Sequence, residues 1–242
     1  MEFMIPPFEE MYGKLREKEG RIYTDTQLKK IPDLDPQHPY FKEWRTRKYS
    51  CQRILAYLKK KNKPLKILEV GCGNGWLSNQ LSKISNTEVL GVDPHRLEID
   101  QAQRVFLNPN LNFRYGNLDT ILSWGLGFDI IVYAASIQYF PSLPDSVQKS
   151  LEILSAGGEI LLIDSPLYSK TELIKARRRT ELYYSNLGFP EMSRYYFHHG
   201  MDDLNDFAPK ILYNPISTWN RIRQKSPFFI ISIQRKGIQE IR

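Results

Sequence analysis

EVGCGNGWLSNQ, residues 69–80, places Gly71, Gly73 and Gly75 at alternate positions. The apolar run KILEV (66–70) precedes it, and Leu77, Leu81 and Ile84 follow at helical spacing. The pattern reads as strand, glycine turn, helix. Such a turn lets backbone N–H groups and a helix N-terminus approach a ligand closely. A side chain at Gly71 or Gly73 is expected to intrude on that ligand. Glycines also punctuate strand-to-helix turns for steric reasons alone, so the loop needs a second residue beside it.

That residue is Asp93. It closes the next apolar run, EVLGVD (88–93), eighteen residues after Gly75. Nucleotide-binding α/β domains place an acid at this distance to hold ribose hydroxyls. The alternative for Asp93 is a turn-forming acid beside Pro94, where proline suits a helix start. The loop is G-x-G-x-G, whereas the dinucleotide fingerprint is G-x-G-x-x-G, and this argues against NAD.

Five further runs read as strands: LNFRY (111–115), FDIIVYA (128–134), GEILLIDS (158–165), KILYN (210–214) and FFIISIQ (228–234). Most are near-continuous, as parallel strands covered on both faces require. Val147, Leu151 and Leu154 repeat at helical spacing before Gly157 and Gly158, which read as the helix stop. Alternating strands and helices predict a doubly wound α/β sheet with helices on both faces. STWNRIRQKSP (217–227) has weak periodicity and reads as a loop between antiparallel neighbours. The sheet is then mostly parallel, with one reversed strand.

The chain has 242 residues, enough for one large domain with additions. Residues 1–45 form a proline- and tyrosine-containing arm, followed by a helix from about 44 to 61. Residues 46–242 form the main domain, with a tyrosine-rich insert at about 166–197. Both additions are expected to cover the site. Net charge is +7, which keeps nucleic acid in view. The basic runs Lys59, Lys60, Lys61, Lys63 and Arg177, Arg178, Arg179 also suit solvated helix ends and faces. No apolar run approaches a membrane span, and MEFMIPPFEEMYGKL lacks a basic start and apolar core, so a cytoplasmic protein is expected. The two cysteines, Cys51 and Cys72, have no metal-ligand spacing, and no metal is expected.

In order, EVGCGNGWLSNQL, VLGVDPH, FRYGNLDTI, FDIIVYAASIQYF and LSAGGEILLIDS resemble the class I S-adenosylmethionine-dependent methyltransferases. The nearest flavour is the small-molecule group that includes the quinone-biosynthesis enzymes. The resemblance runs from about residue 48 to 165, and more faintly through YYFHHGMDDLNDFAPKILYN. It implies a Rossmann-like seven-stranded sheet of order 3-2-1-4-5-7-6, with S-adenosyl-L-methionine as cofactor. Glu69, Gly71, Cys72, Gly73 and Gly75 correspond to the loop that cradles methionine and ribose. Asp93, followed by Pro94, corresponds to the ribose-binding acid. Asn117 and Leu118 stand beside the adenine, where the family often has an acid, and the Asn117 amide oxygen is expected to face the adenine amino group. Ala134 to Ile137 line the methyl end.

The resemblance also sets the chemistry. A sulfonium methyl group is already activated, so the protein's main task is alignment. A base is needed only if the acceptor must lose a proton. Tyr139, His198 and His199 are the acceptor-side catalytic candidates. Packing over the cofactor is the alternative for Tyr139, and capping or loop packing for the histidines. Arg47 either meets the cofactor carboxylate or lies on the surface. A small-molecule acceptor is expected, and an aromatic cover suits a planar or apolar one. An RNA methyltransferase is a second reading, motivated by the charge and the arginine triplet. AASIQYF lacks the Asn-Pro-Pro-aromatic pattern of amino-methylating nucleic-acid enzymes. A third is a non-catalytic protein that binds S-adenosylmethionine or S-adenosylhomocysteine.

Overall fold

The computed structural model describes residues 7–223 and 225–235. The first six residues of the expected arm, Gln224 and residues 236–242 lie outside the described residues. The strands are β1 (Leu65–Val70), β2 (Thr87–Asp93), β3 (Leu111–Tyr115), β4 (Phe128–Ala134), β5 (Leu154–Ile163), β6 (Leu167–Tyr168), β7 (His199–Gly200), β8 (Lys210–Tyr213) and β9 (Ile230–Gln234). Seven of them form one sheet of order β3-β2-β1-β4-β5-β9-β8. β9 runs antiparallel to both neighbours, and the other pairings are parallel. Numbered within this sheet alone, the order is the expected 3-2-1-4-5-7-6. The added detail is the separate pair β6 and β7, which lies between the fifth and sixth sheet strands in sequence.

The apolar runs follow from double coverage. Along β1, Leu65 and Ile67 pack on one face, and Leu68 and Val70 on the other. The helices are α1 (Pro7–Lys18), α2 (Asp25–Lys30), α3 (Phe41–Lys59), α4 (Trp76–Leu81), α5 (Arg96–Val105), α6 (Leu118–Ser123), α7 (Leu143–Glu152), α8 (Lys170–Leu187) and α9 (Thr218–Arg223). Ile54 and Leu58 of α3, Leu77 and Leu81 of α4, and Ile99 and Ala102 of α5 cover the first face. Ile121 of α6, with Leu143 and Val147 of α7, covers the second.

Three local expectations are corrected. α7 stops at Glu152, and Leu154 opens β5 opposite Phe128. Gly157, at φ 72°, sits in a bulge of β5 and does not stop the helix. Leu154 behaves this way because its side chain is buried with Phe128 under the sheet. The segment expected to be a loop between β8 and β9 contains the two-turn α9. Its entry is held by Ser217 and Asn220 side chains donating to the Asn214 carbonyl. The arm is itself helical, and α3 begins at Phe41, earlier than the sequence indicated.

One buried ion pair ties α3 to the sheet. Glu159 of β5 has a side chain only 3% exposed. It accepts from Lys61 Nζ at 2.6 Å, Tyr57 Oη at 2.6 Å, Ser232 Oγ at 3.0 Å and Gln234 Nε2 at 3.1 Å. Lys61 of the basic run is thus committed inside the molecule. Burial alone would raise the Glu159 pKa, but the Lys61 and Tyr57 hydrogen bonds prevail and hold it at about 2. A depressed carboxylate pKa contributes stability that is present above the unfolded-state value and lost as pH falls through the folded one. Glu159→Gln is therefore expected to lower stability at pH 7 by about 1.5–3 kcal/mol. Urea unfolding at pH 7 and pH 3 checks this, and the gap between the two proteins should narrow at the acid pH.

Candidate active site

The carboxyl ends of β1, β2 and β4 open into a cavity of about 710 Å3. Its floor is the glycine loop. Gly71, Gly73 and Gly75 have φ of 72°, 52° and 76°, a region L side chains rarely adopt. The protein itself also crowds these positions. A Cβ on Gly71 would lie 2.6 Å from Ser136 Cβ, and one on Gly75 would lie 2.4 Å from the Phe113 ring. A Cβ on Gly73 would meet Glu98 at 2.6 Å. A side chain at Gly71 or Gly75 would thus meet the chain's own residues, and one at Gly73 would meet the flexible end of Glu98.

Asp93 joins the loop to the next strand. One carboxylate oxygen accepts from the Gly73 N–H at 2.8 Å, and the other from the His95 N–H at 2.8 Å. Burial and the nearby Glu98 raise its pKa, and the two N–H bonds oppose that rise. Below it, the buried Glu69 accepts from Ser78 Oγ, and burial pushes its pKa up to about 8. Cys72 and Pro94 also line the cavity. Burial raises the Cys72 thiol well above its ordinary pKa, so it stays protonated.

Ala134 lines the cavity at the end of β4, and Ser136 Oγ donates to the Val70 carbonyl at 2.7 Å. β4 and β5 both run into residues with left-handed backbone, Ala135 at φ 52° and Asp164 at φ 53°. Strain of this kind collects at functional ends of elements. Leu118 lines the wall and is buried. Asn117 lines it too, but its amide oxygen is spent as the N-cap of α6. It accepts from the Thr120 N–H and the Thr120 hydroxyl, both at 2.9 Å. The expected adenine-facing oxygen is thereby corrected, and the side-chain NH2 is the group left for a guest. Asp119 pairs with Lys149.

The roof comes from the arm and the insert. Tyr139 has ring centroids 5.6 Å from Tyr12, 5.8 Å from Tyr196 and 5.9 Å from Phe8. Burial raises its pKa. The arm is clipped down by Glu9, which accepts from the Arg96 N–H at the start of α5. Arg21 forks onto Glu43 at 2.9 and 2.7 Å. Arg47 reaches the cavity and pairs with Glu43 at 3.0 Å, so it is not a simple surface residue.

His198 and His199 are corrected as catalytic candidates. Neither lines the cavity. His198 Nε2 is 2.9 Å from the Thr180 hydroxyl, and buried His199 donates from Nε2 to the Ile137 carbonyl at 3.0 Å. Burial lowers the pKa of both. Arg16, His95 and Glu98 are among the cavity residues that escaped the sequence reading. The Tyr12-to-Arg16 spacing of four on an arm helix was the available signal. Among the described residues, no group of three His, Cys, Asp or Glu is arranged to hold a metal ion, and no helix is long and apolar enough to cross a membrane.

A reversed seventh sheet strand, a left-handed glycine loop and an acid closing β2 occur together in this fold. A family profile described as "Methyltransferase domain" matches residues 67–158. The mitochondrial ubiquinone biosynthesis O-methyltransferase of Rattus norvegicus is 29% identical over 104 residues, covering 40% of this chain and 30% of that protein. A tRNA U34 carboxymethyltransferase of Pseudomonas fluorescens is 32% identical over 127 residues, covering 50% of this chain and 38% of that protein. The chain thus spans roughly a third of the length of these curated relatives. Magnesium protoporphyrin IX methyltransferase from Synechocystis PCC 6803, solved with bound SAH, aligns with a TM-score of 0.59 at 16% identity. The alignment covers 92% of this chain and 100% of that one, and the likeness is one of fold.

Gly75→Ala is expected to cost about 2–4 kcal/mol, the sum of overpacking against Phe113 and a left-handed backbone. Gly20→Ala, with a left-handed φ of 67° but open space around it, is expected to cost only about 1 kcal/mol. Chemical denaturation of the two variants measures the difference.

Proposed function

We propose that this protein is a methyltransferase that moves the methyl group of S-adenosyl-L-methionine to a small-molecule acceptor by in-line displacement. The observation that carries the reading is Asp93. Each of its carboxylate oxygens has one backbone N–H partner and the capacity to accept one more, and Asp93 lines a cavity large enough for a nucleoside. That arrangement fits two adjacent ribose hydroxyls. In this reading Gly71, Cys72, Gly73 and Gly75 support the methionine and ribose, with Glu69 below them. Pro94, Leu118 and Ala134 provide apolar walls, and the Asn117 NH2 faces the adenine ring. When bound, the cofactor supplies a methyl group activated by positive sulfur. The chain's residues orient the partners, and its aromatic cover excludes water. Tyr139 serves as the wall between methyl group and acceptor, and the arm and the 166–197 insert serve as the cover.

A second reading is an RNA methyltransferase. It draws on the tRNA-modifying relative and on Arg177, Arg178 and Arg179, which are exposed along α8. Filter binding with total RNA across a salt series separates the two, because phosphate contacts give steep salt dependence. The small-molecule reading expects no salt-sensitive retention.

Asp93→Ala is expected to weaken S-adenosylhomocysteine binding by about 1–3 kcal/mol. Ionised Asp93 is the better acceptor for ribose hydroxyls, and its pKa is raised. Binding to the unaltered protein should therefore strengthen as pH rises through that value and weaken on its acid side. Calorimetry on both proteins between pH 5.5 and 8.5, the range set by about one to two units around neutrality, tests this. Unchanged affinity in Asp93→Ala would remove the ribose assignment.

A further inference from the structure

Arg16 lines the cavity from α1. Its Nε is buried and has no hydrogen-bond partner. Glu98 and Glu19 form long ion pairs with it at 3.9 Å, which balance its charge but leave the Nε–H without a hydrogen-bond acceptor. The other two guanidinium groups at this end are differently placed. Arg21 forks onto Glu43, and Arg47 meets the same carboxylate at 3.0 Å. A buried donor without a partner costs free energy unless a guest supplies the acceptor. The guest that Arg16 is built for is an anion.

The tyrosines at this end of the cavity are poor proton acceptors. Burial raises the pKa of Tyr12, Tyr139, Tyr184 and Tyr196. His198 and His199 lie outside, and Glu43 is held by two arginines, while Glu98 and Glu19 beside Arg16, and His95, are the further titratable side chains in this lining. An acceptor that is already ionised needs none of these groups as a base. A carboxylic acid is already ionised at neutral pH.

We propose that the acceptor is an apolar or aromatic carboxylic acid, that Arg16 binds its carboxylate, and that the product is a methyl ester. This rests on the methyltransferase reading above. One carboxylate oxygen forms the O–CH3 bond while the S–CH3 bond breaks and its electron pair stays on sulfur. A negative and a positive charge vanish together, and no proton moves. Such charge annihilation is favoured in a dry, low-dielectric pocket. Phe8, Tyr12, Tyr139 and Tyr196 form the apolar cage for the acyl body.

Two measurements test the proposal. In the first, the purified protein is incubated with methyl-labelled S-adenosylmethionine and a metabolite extract, and the products are treated with mild alkali. Methyl esters release labelled methanol; alkali-stable label on oxygen, nitrogen or carbon overturns the proposal. In the second, calorimetry follows benzoate, cinnamate and decanoate binding to the S-adenosylhomocysteine complex, with Arg16→Gln and Arg16→Lys beside the unaltered protein. Arg16→Gln should weaken the acid probes about tenfold or more, Arg16→Lys should lose less, and S-adenosylhomocysteine affinity should not change. The proposal is overturned if no acid probe binds the unaltered complex. It is also overturned if Arg16→Gln weakens S-adenosylhomocysteine but not 5′-methylthioadenosine, which lacks the carboxylate, because Arg16 then holds the cofactor. Failure of the unaltered protein to bind S-adenosylhomocysteine at all would instead strike the methyltransferase reading.

Discussion

Two hydrogen bonds to one carboxylate hold this site together. Asp93 leaves the end of β2 and accepts from Gly73, across the strand boundary, and from His95, in its own turn. The first bond fixes the loop after β1 in its left-handed course. The second turns the chain into α5, which carries Glu98 back toward the loop. A single anion therefore sets both the depth of the cavity floor and the direction of the helix beside it. Glu69 adds a second buried acid below. Acids crowded out of water raise one another's pKa, and a positively charged guest relieves that crowding.

The glycines illustrate how a sequence marks a location without recording the contacts around it. Their spacing marks the loop, and the left-handed φ values follow from it. Their left-handed backbone disfavours side chains, and Ser136 and Phe113 crowd Gly71 and Gly75, while the flexible end of Glu98 lies over Gly73. Those residues come from β3, α5 and the turn after β4, all distant in sequence. No local pattern around residues 69–80 encodes that crowding.

The same division runs through the rest of the molecule. The parallel strands were legible because double burial writes itself as continuous apolar runs. The reversal of β9 was legible from the lack of a crossover helix. α9 was missed because two exposed turns leave too few residues for a period to register. Asn117 was assigned outward because its use as a cap depends on Thr120 three residues on, a local signal that was available. His199 looked reactive in sequence, yet it is a buried donor to a carbonyl sixty-two residues away. Arg16 and His95 became visible only when the arm folded back over the sheet.

The cover is one unit made from two distant segments. Leu15 of α1, Tyr184 of α8 and Met192 beyond it bury against one another, with Phe8, Tyr12 and Tyr196 around them. Each segment supplies the apolar surface that the other hides. Neither can lift alone without exposing its partner's face to water. Any change that loosens one segment therefore also uncovers apolar surface on the other, so the two are linked energetically.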